Sequence, residues 1–491
     1  MVIDHIVDRE NETTELNEVL RSKTARLIGI TGRRRLGKTT LLESWALKSG
    51  LPVLFWPALK RPSSLLLQEF SHLIYQHEHG RPVPSRQFTY GSWGEAFEDL
   101  ARICSGPNRH IVIIDEFPYA VSSEPSLPSV LQNAWDHHLK QSNLVMALCG
   151  SQVGMMTDLY SSDAPLFQRL VGPMRIGPLP FRYINEFIPG YNFDDRTIAY
   201  ACFGGVPAYL ETIDPDVSII ENIKRQVFSD FGVFSSEPEY LISEQVTDAR
   251  YYNSILEAVA KGARQFGEIA NKAGFSTGST PSHYLSRLCE MSYLRDAYSL
   301  EIPPQVRKKS RKTHYLVNDP MLLFYFRFVQ KYRAALNLNL RAAFTARLEE
   351  QVASFAGKNA FEDICRQWLT DQAREGNAPF AFEDVGQIWG DNGENGTQVD
   401  VAAISWREKC ILVGESKWTE NNIDYSVAKK LLDETIPVVL AMLPERGKGW
   451  RVFPYLFARR GFSREAFNFA RESNIKMVGV SPIEDQLEVV E

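Results

Sequence analysis

Along the first part of the chain, short apolar runs alternate with stretches long enough for helices. Residues 25–31 are such a run and stop at Gly32, as a strand buried in a parallel sheet does. From Thr39 (Thr-Thr-Leu-Leu-Glu-Ser-Trp-Ala-Leu) the apolar positions take helical spacing, and further runs follow at 53–56, 111–114 and 144–148. Strands alternating with helices predict a parallel sheet covered on both faces. Residues 181–240 lack strand runs and read as helical.

The pattern changes from Tyr252. Ile255, Leu256 and Val259 mark one helix face, and Phe266 and Ile269 mark a second. Gly274 breaks the chain, and Thr280-Pro281 opens a third helix that carries Leu285 and Leu288. Two strand-like stretches follow, 293–296 and 314–317, separated by a loop. Three short helices and then a hairpin predict a winged helix-turn-helix. Beyond Thr345 a second α/β segment has a helix near Glu362 and strands near 399–404 and 410–414. The 491 residues thus read as a multidomain α/β chain: a P-loop core over 1–180, a helical lid over 181–244, a winged helix over 245–344 and a further α/β domain over 345–491.

The chemistry begins where the first strand ends. Gly32-Arg33-Arg34-Arg35-Leu36-Gly37-Lys38-Thr39 satisfies the Walker A pattern and is followed by Thr40. Its glycines let the backbone wrap phosphate oxygens, so that N–H groups at a helix N-terminus point at them. Lys38 is expected to reach the β- and γ-phosphates of ATP, and the Thr39 hydroxyl to ligate Mg²⁺. Four apolar residues, 111–114, place Asp115 and Glu116 at the carboxyl end of a buried strand, where ligands of parallel sheets bind. Asp115 would complete the Mg²⁺ shell and Glu116 would polarise the attacking water.

Charge adds a second partner. The net charge is −6, yet residues 245–341 hold 15 Lys and Arg against 7 Asp and Glu, which leaves −14 on the remainder. A basic segment in an acidic protein calls for an anionic partner, and DNA is the expected one. Ser282, His283, Ser286 and Arg287 face outward on the third helix, and Arg307, Lys308, Lys309, Arg311 and Lys312 form the wing. A plain protein-interaction module is the alternative use of such a domain.

The strands near 399–404 and 410–414 flank a turn-like Ser405-Trp406-Arg407-Glu408-Lys409 and predict a hairpin. Antiparallel pairing would bring Asp400 beside Glu415, and strand alternation puts Glu415 and Lys417 on one face. Two adjacent carboxylates repel unless a cation intervenes, so Asp400 and Glu415 are candidate ligands for Mg²⁺ or Mn²⁺, with Lys417 orienting a nucleophile.

Other signals bound the class. No apolar run reaches the ~18 residues of a membrane helix. Residues 1–10 carry acids and no apolar segment of a secretory signal, and the six cysteines show no CxxC pair. A cytoplasmic protein with no membrane partner is expected.

Several of these stretches together resemble the archaeal-type ATPases of the wider AAA+/STAND group. They are Asp8-Arg9-Glu10, the Arg-rich P-loop, Cys149-Gly150-Ser151, Arg175-Ile176-Gly177-Pro178-Leu179-Pro180-Phe181, and Gly204-Gly205-Val206-Pro207 with Tyr209. The resemblance covers most of residues 1–340. It implies an AAA+-like sheet with a helical lid, a sensor of the γ-phosphate at Ser151, and an arginine finger at Arg169, with Arg175 as its rival. A finger acting in trans would require an oligomer. Asp400, Glu415 and Lys417 resemble the PD-(D/E)xK motif of restriction-endonuclease-like folds, with Val399 in place of the proline. Glu362 matches the helix acid of many such nucleases. Two functions follow: an ATP-gated, DNA-binding, metal-dependent nuclease, or an ATP-dependent switch whose later domains bind DNA or protein without cutting.

Overall fold

The computed structural model describes residues 6–243, 245–246, 248–275, 281–307, 313–338, 340–391 and 396–486. They divide into two compact units: residues up to 178 together with 290–292, and the rest from 179 onward.

The first unit is built on β1 (Arg26–Thr31), β2 (Val53–Pro57), β3 (His110–Asp115), β4 (Leu144–Gly150) and β5 (Leu170–Arg175). All five pair in parallel, in the order β2-β3-β4-β1-β5. Residues 111–115 of β3 and the whole of β4 are buried, as strands covered on both faces must be. The covering helices show why they form. Trp93–Ile103 starts at Ser92, whose side chain caps the Glu95 N–H, and buries Trp93, Ala96, Phe97 and Leu100 at helical spacing. Trp93 and Phe97 join Trp56 and Phe70 in an aromatic cluster whose Trp56–Phe70 centroids are 4.9 Å apart.

The strand order has one consequence for function. Because β4 lies between β3 and β1, the residue after β4, Ser151, emerges between the P-loop and Asp115. β5 was not foreseen. Leu-Val-Gly-Pro-Met-Arg has no apolar alternation, and its proline is tolerated because β5 is an edge strand.

In the second unit, helices Phe193–Phe203, Ile219–Phe228 and Val233–Ser243 occupy the stretch read as helical. Helices Arg250–Ala260, Phe266–Lys272 and Ser282–Glu290 follow, and then an antiparallel hairpin of β6 (Leu294–Ala297) and β7 (His314–Val317). Thr280, the expected cap, lies outside the described residues. Helices Ala342–Ala356 and Glu362–Arg374 lead into a second sheet. Its strands are β8 (Asp384–Asp391), β9 (Gly396–Ser405), β10 (Cys410–Lys417), β11 (Arg451–Ala458) and β12 (Lys476–Val478), in the order β12-β11-β10-β9-β8. β8, β9 and β10 pair antiparallel, whereas β10, β11 and β12 pair in parallel.

The β9–β10 hairpin has the expected register, with Ser405 opposite Cys410 and Val401 opposite Gly414. β8, β11 and β12 were missed. β11 contains Pro454, which argues against an interior strand, but β12 pairs only from Tyr455 onward, so the proline sits where β11 has one neighbour.

Candidate functional site

The P-loop connects β1 to helix Lys38–Lys48. Gly37 adopts the left-handed conformation at φ 82°, and a side chain at Gly32 would strike the Ile176 carbonyl. Arg33, Leu36 and Lys38 are buried, whereas Arg34 and Arg35 are exposed. The Lys38 ammonium donates to the Arg33 carbonyl at 2.9 Å, and Arg34 donates to the Tyr119 hydroxyl at 2.8 Å. Thr40 lies in the first turn of the helix and is partly exposed. Arg9, quoted above only as part of a motif, is buried and donates to the Leu36 carbonyl at 3.3 Å and the Gly177 carbonyl at 2.8 Å. It ties the loop to the segment that follows β5.

Asp115 and Glu116 lie beside this loop. The Thr39 hydroxyl donates to Asp115 Oδ2 at 2.7 Å, which brings together the hydroxyl and carboxylate expected to hold Mg²⁺. Glu116 has a left-handed backbone, φ 51°, and its Oε2 accepts from both the backbone N–H and the hydroxyl of Ser151. The donor set fits ATP with Mg²⁺: a buried ammonium, a helix N-terminus, and a hydroxyl–carboxylate pair.

Arg169 is engaged inside its own chain. It forms a two-pronged pair with Asp136, Nε to Oδ1 at 2.9 Å and Nη2 to Oδ2 at 2.7 Å. Reaching a second copy's nucleotide would require breaking that pair. Arg175 is in register with Thr31, one residue before the P-loop, and is exposed.

In the second unit Glu362, Asp400, Glu415 and Lys417 come together. Asp400 Oδ2 accepts from the Ser416 N–H at 3.2 Å and hydroxyl at 3.3 Å, and Lys417 pairs with Glu415. Burial, and then the nearby Asp400, push the Glu362 carboxyl up to about 8. Burial and Asp400 also raise Glu415, against the pull of Lys417 and Lys430. Among the described residues no group of three or more His, Cys, Asp or Glu is placed to enclose a metal ion.

Two further residues shape this cluster. Arg366 donates to the Asp400 carbonyl at 2.7 Å, and Gln387 donates to Glu362 Oε2 at 2.9 Å. Arg366 lies four residues after Glu362 on one helix, a spacing that could have flagged it. Gln387 belongs to the unforeseen β8. The same helix is bonded to the segment that follows the P-loop core: Gln367 accepts from the Phe181 N–H at 2.8 Å and donates to the Tyr200 hydroxyl at 3.1 Å, and Arg182 pairs with Asp371 at 2.7 Å.

The basic segment is only partly as expected. Ser282, His283 and Ser286 are exposed on their helix, and Arg287 is half-buried. Arg307, read as a wing cation, instead pairs with Asp384 of β8 and donates to the Ile302 carbonyl at 2.8 Å. That pairing could not be anticipated because β8 was unseen. Lys308, Lys309, Arg311 and Lys312 lie outside the described residues. No helix among the described residues is long and apolar enough to cross a membrane.

Comparison with known proteins bears on both units. Residues 6–213 match the model of an ATPase domain found predominantly in Archaea. This stretch is a P-loop, ATP-binding ATPase domain. Residues 325–430, which include the whole acid cluster, match a model of archaeal and bacterial proteins of unknown function. An uncharacterized protein of Methanocaldococcus jannaschii is 28% identical over 419 residues, 84% of this chain and 88% of its own. That likeness is longer than the ATPase match and runs on into the second unit. The Walker-type ATPase of Pyrococcus abyssi aligns at TM-score 0.50 and 19% identity, over 66% of this chain and 96% of that one, a likeness of fold. The Aeropyrum pernix ORC1 protein in complex with DNA aligns at TM-score 0.33 and 17% identity, over 71% and 96%, too loosely to carry an argument about DNA.

Proposed function

We propose that the chain is an ATPase whose second unit binds DNA through a winged helix and cuts it at a metal-dependent site, with ATP as the control input. In the ATPase, Lys38 holds the phosphates, Thr39 and Asp115 hold the Mg²⁺ shell, Glu116 takes a proton from the attacking water, and Ser151 orients Glu116. Mg²⁺ bound there supplies charge neutralisation on the phosphates. Arg175 is the better candidate for a finger than Arg169, because Arg169 is already paired.

The observation that carries the nuclease reading is the convergence of Glu362, Asp400 and Glu415, with Lys417 paired to Glu415. Asp400 and Glu415 would hold a Mg²⁺ or Mn²⁺ ion, which supplies Lewis acidity toward a phosphodiester. Lys417 positions the water, and Arg366 fixes the Asp400 backbone. Control by ATP is supported by the bonds from Phe181, Arg182 and Tyr200, all inside the ATPase match, to the helix that begins at Glu362. Single- and double-stranded DNA and RNA should be incubated with Mg²⁺ or Mn²⁺, with and without ATP. Cutting that needs both is expected. No cutting, or cutting that survives Asp400→Ala, removes the nuclease.

Among the described residues no three acids enclose a metal ion, which favours a second reading, a switch in which the second unit only binds. ATP-dependent DNA binding without cleavage would select it.

A further inference from the structure

A cavity of about 490 Å³ in the second unit lies between the β6–β7 hairpin and the C-terminal sheet, next to the acid cluster, with Arg366 and Gln387 between them. Its lining includes Arg295, Arg307, Arg366, Trp389, Asp363 and Asp384. The acids are already satisfied. Asp384 is paired with Arg307, and Asp363 accepts from Arg366 at 3.3 Å and Gln367 at 2.7 Å. A third lining acid, Asp296, accepts from the Tyr298 hydroxyl at 2.7 Å.

The donors are not. Among the described residues the Arg295 guanidinium has no hydrogen-bond or ion-pair partner, although protein surrounds it on most sides and its surface remains accessible. The buried Nη2 of Arg307 and Nε1 of Trp389, on the same cavity, also lack acceptors. Arg264 stands beside Arg295, again with no partner for its guanidinium, and the two repel each other. Among the described residues every lining acid has a hydrogen-bond partner, while the Arg295 guanidinium, Arg307 Nη2 and Trp389 Nε1 have none. Buried donors without acceptors are rare, and two of them beside an accessible, unpaired guanidinium mark a place that an anion can fill.

We infer that this cavity is a phosphate-binding site, distinct from the P-loop, in which Arg295 is the principal ligand and Arg307 and Trp389 supply further donors. A planar guanidinium accepts two phosphate oxygens at once, which makes arginine the suitable residue here. The phosphate belongs either to a nucleic-acid strand or to a small phosphorylated molecule. Trp389 is stacked on His314 with centroids 4.5 Å apart and planes 9° from parallel, a flat surface that a base could extend. The inference does not depend on cleavage at the acid cluster.

The test uses the full chain with its P-loop saturated by ADP in EDTA, so that neither the ATP site nor a metal-dependent reaction contributes. Inorganic phosphate and a short single-stranded oligodeoxynucleotide are titrated in separate calorimetric experiments. Arg295→Gln should weaken binding about tenfold or more, the size of one lost charge-assisted bond, and Arg295→Lys should restore part of it. Because Arg295 has no partner and faces Arg264, the glutamine variant should melt no lower than the wild type, which separates lost binding from lost folding. Stronger binding of the oligonucleotide than of phosphate assigns the site to a strand, and binding of phosphate alone assigns it to a small ligand. If neither ligand responds to Arg295→Gln, the site is refuted.

Discussion

Ser151 donates its backbone N–H and its hydroxyl to the same oxygen of Glu116, at 3.1 and 2.9 Å. The two residues are joined only because β4 lies between the strands that carry the P-loop and Asp115. Glu116 holds a left-handed backbone, a conformation that persists where neighbours over-determine it. Ser151→Ala removes one of the two bonds and frees the carboxylate to rotate. Steady-state ATP turnover should then fall about 10- to 100-fold in kcat, with little change in KM. A rise in turnover would mean that Ser151 restrains Glu116 instead of aiming it.

Lys38 is buried, and its ammonium now rests on the Arg33 carbonyl. ATP phosphates would compete for the same three N–H bonds. Lys38→Ala should weaken ATP binding by about tenfold or more, measured by calorimetry, and abolish turnover. ATP turnover at the wild-type rate would refute the P-loop assignment itself.

Glu362 makes stability depend on pH in an unusual sense. Its carboxyl keeps a proton in the folded protein up to about 8, whereas in the unfolded chain it ionises in the ordinary carboxyl range. Between those two points the folded state binds the extra proton. Stability should therefore fall as pH rises through that window and level off above about 8. Glu362→Gln should flatten this fall and leave the variant the more stable of the two at pH 9 in urea unfolding. Equal slopes in both proteins would show that the group is ordinary.

A cation between Asp400 and Glu415 would offset the repulsion that raises Glu362 and Glu415. Adding Mg²⁺ or Mn²⁺ at pH 7 should release protons and raise the melting temperature of the full chain. Asp400→Ala should lose both effects. A wild type that neither binds the ion nor releases protons would leave the acids without a metal role.

Arg459 links distant parts of the second unit. It makes a two-pronged pair with Asp194 at 2.9 and 2.7 Å, also bonds Glu420 at 2.6 Å, and stacks on Trp418, the residue after Lys417. Its side chain is 7% exposed and that of Asp194 22%, so Arg459→Ala leaves a largely covered carboxylate with only the Arg460 contact. A loss of about 2–3 kcal/mol in chemical unfolding is expected. A smaller loss, under about 1 kcal/mol, would place the pair among ordinary surface contacts.

What the amino-acid sequence determined by itself was local or strictly periodic. The P-loop is one contiguous segment, β3 announces itself by four consecutive apolar residues, and the β9–β10 register follows from alternation and a short turn. Each of these signals lies within some twenty residues, where chain geometry dictates who meets whom.

Only the tertiary structure decided the rest. It set the strand order that brings Ser151 to Glu116, and it placed Gln387 on Glu362. It turned Arg307 from a wing cation into the partner of Asp384, 77 residues away, and left Arg295 on the cavity without a hydrogen bond among the described residues. β5 and β11 escaped notice because proline interrupts their patterns; β5 is an edge strand and Pro454 lies where β11 has one neighbour, which relaxes the rule that excludes it. Long-range pairs such as Arg459 with Asp194, 265 residues apart, carry no periodicity at all. They form because packing brings the charges together, and nothing in the local sequence records that meeting.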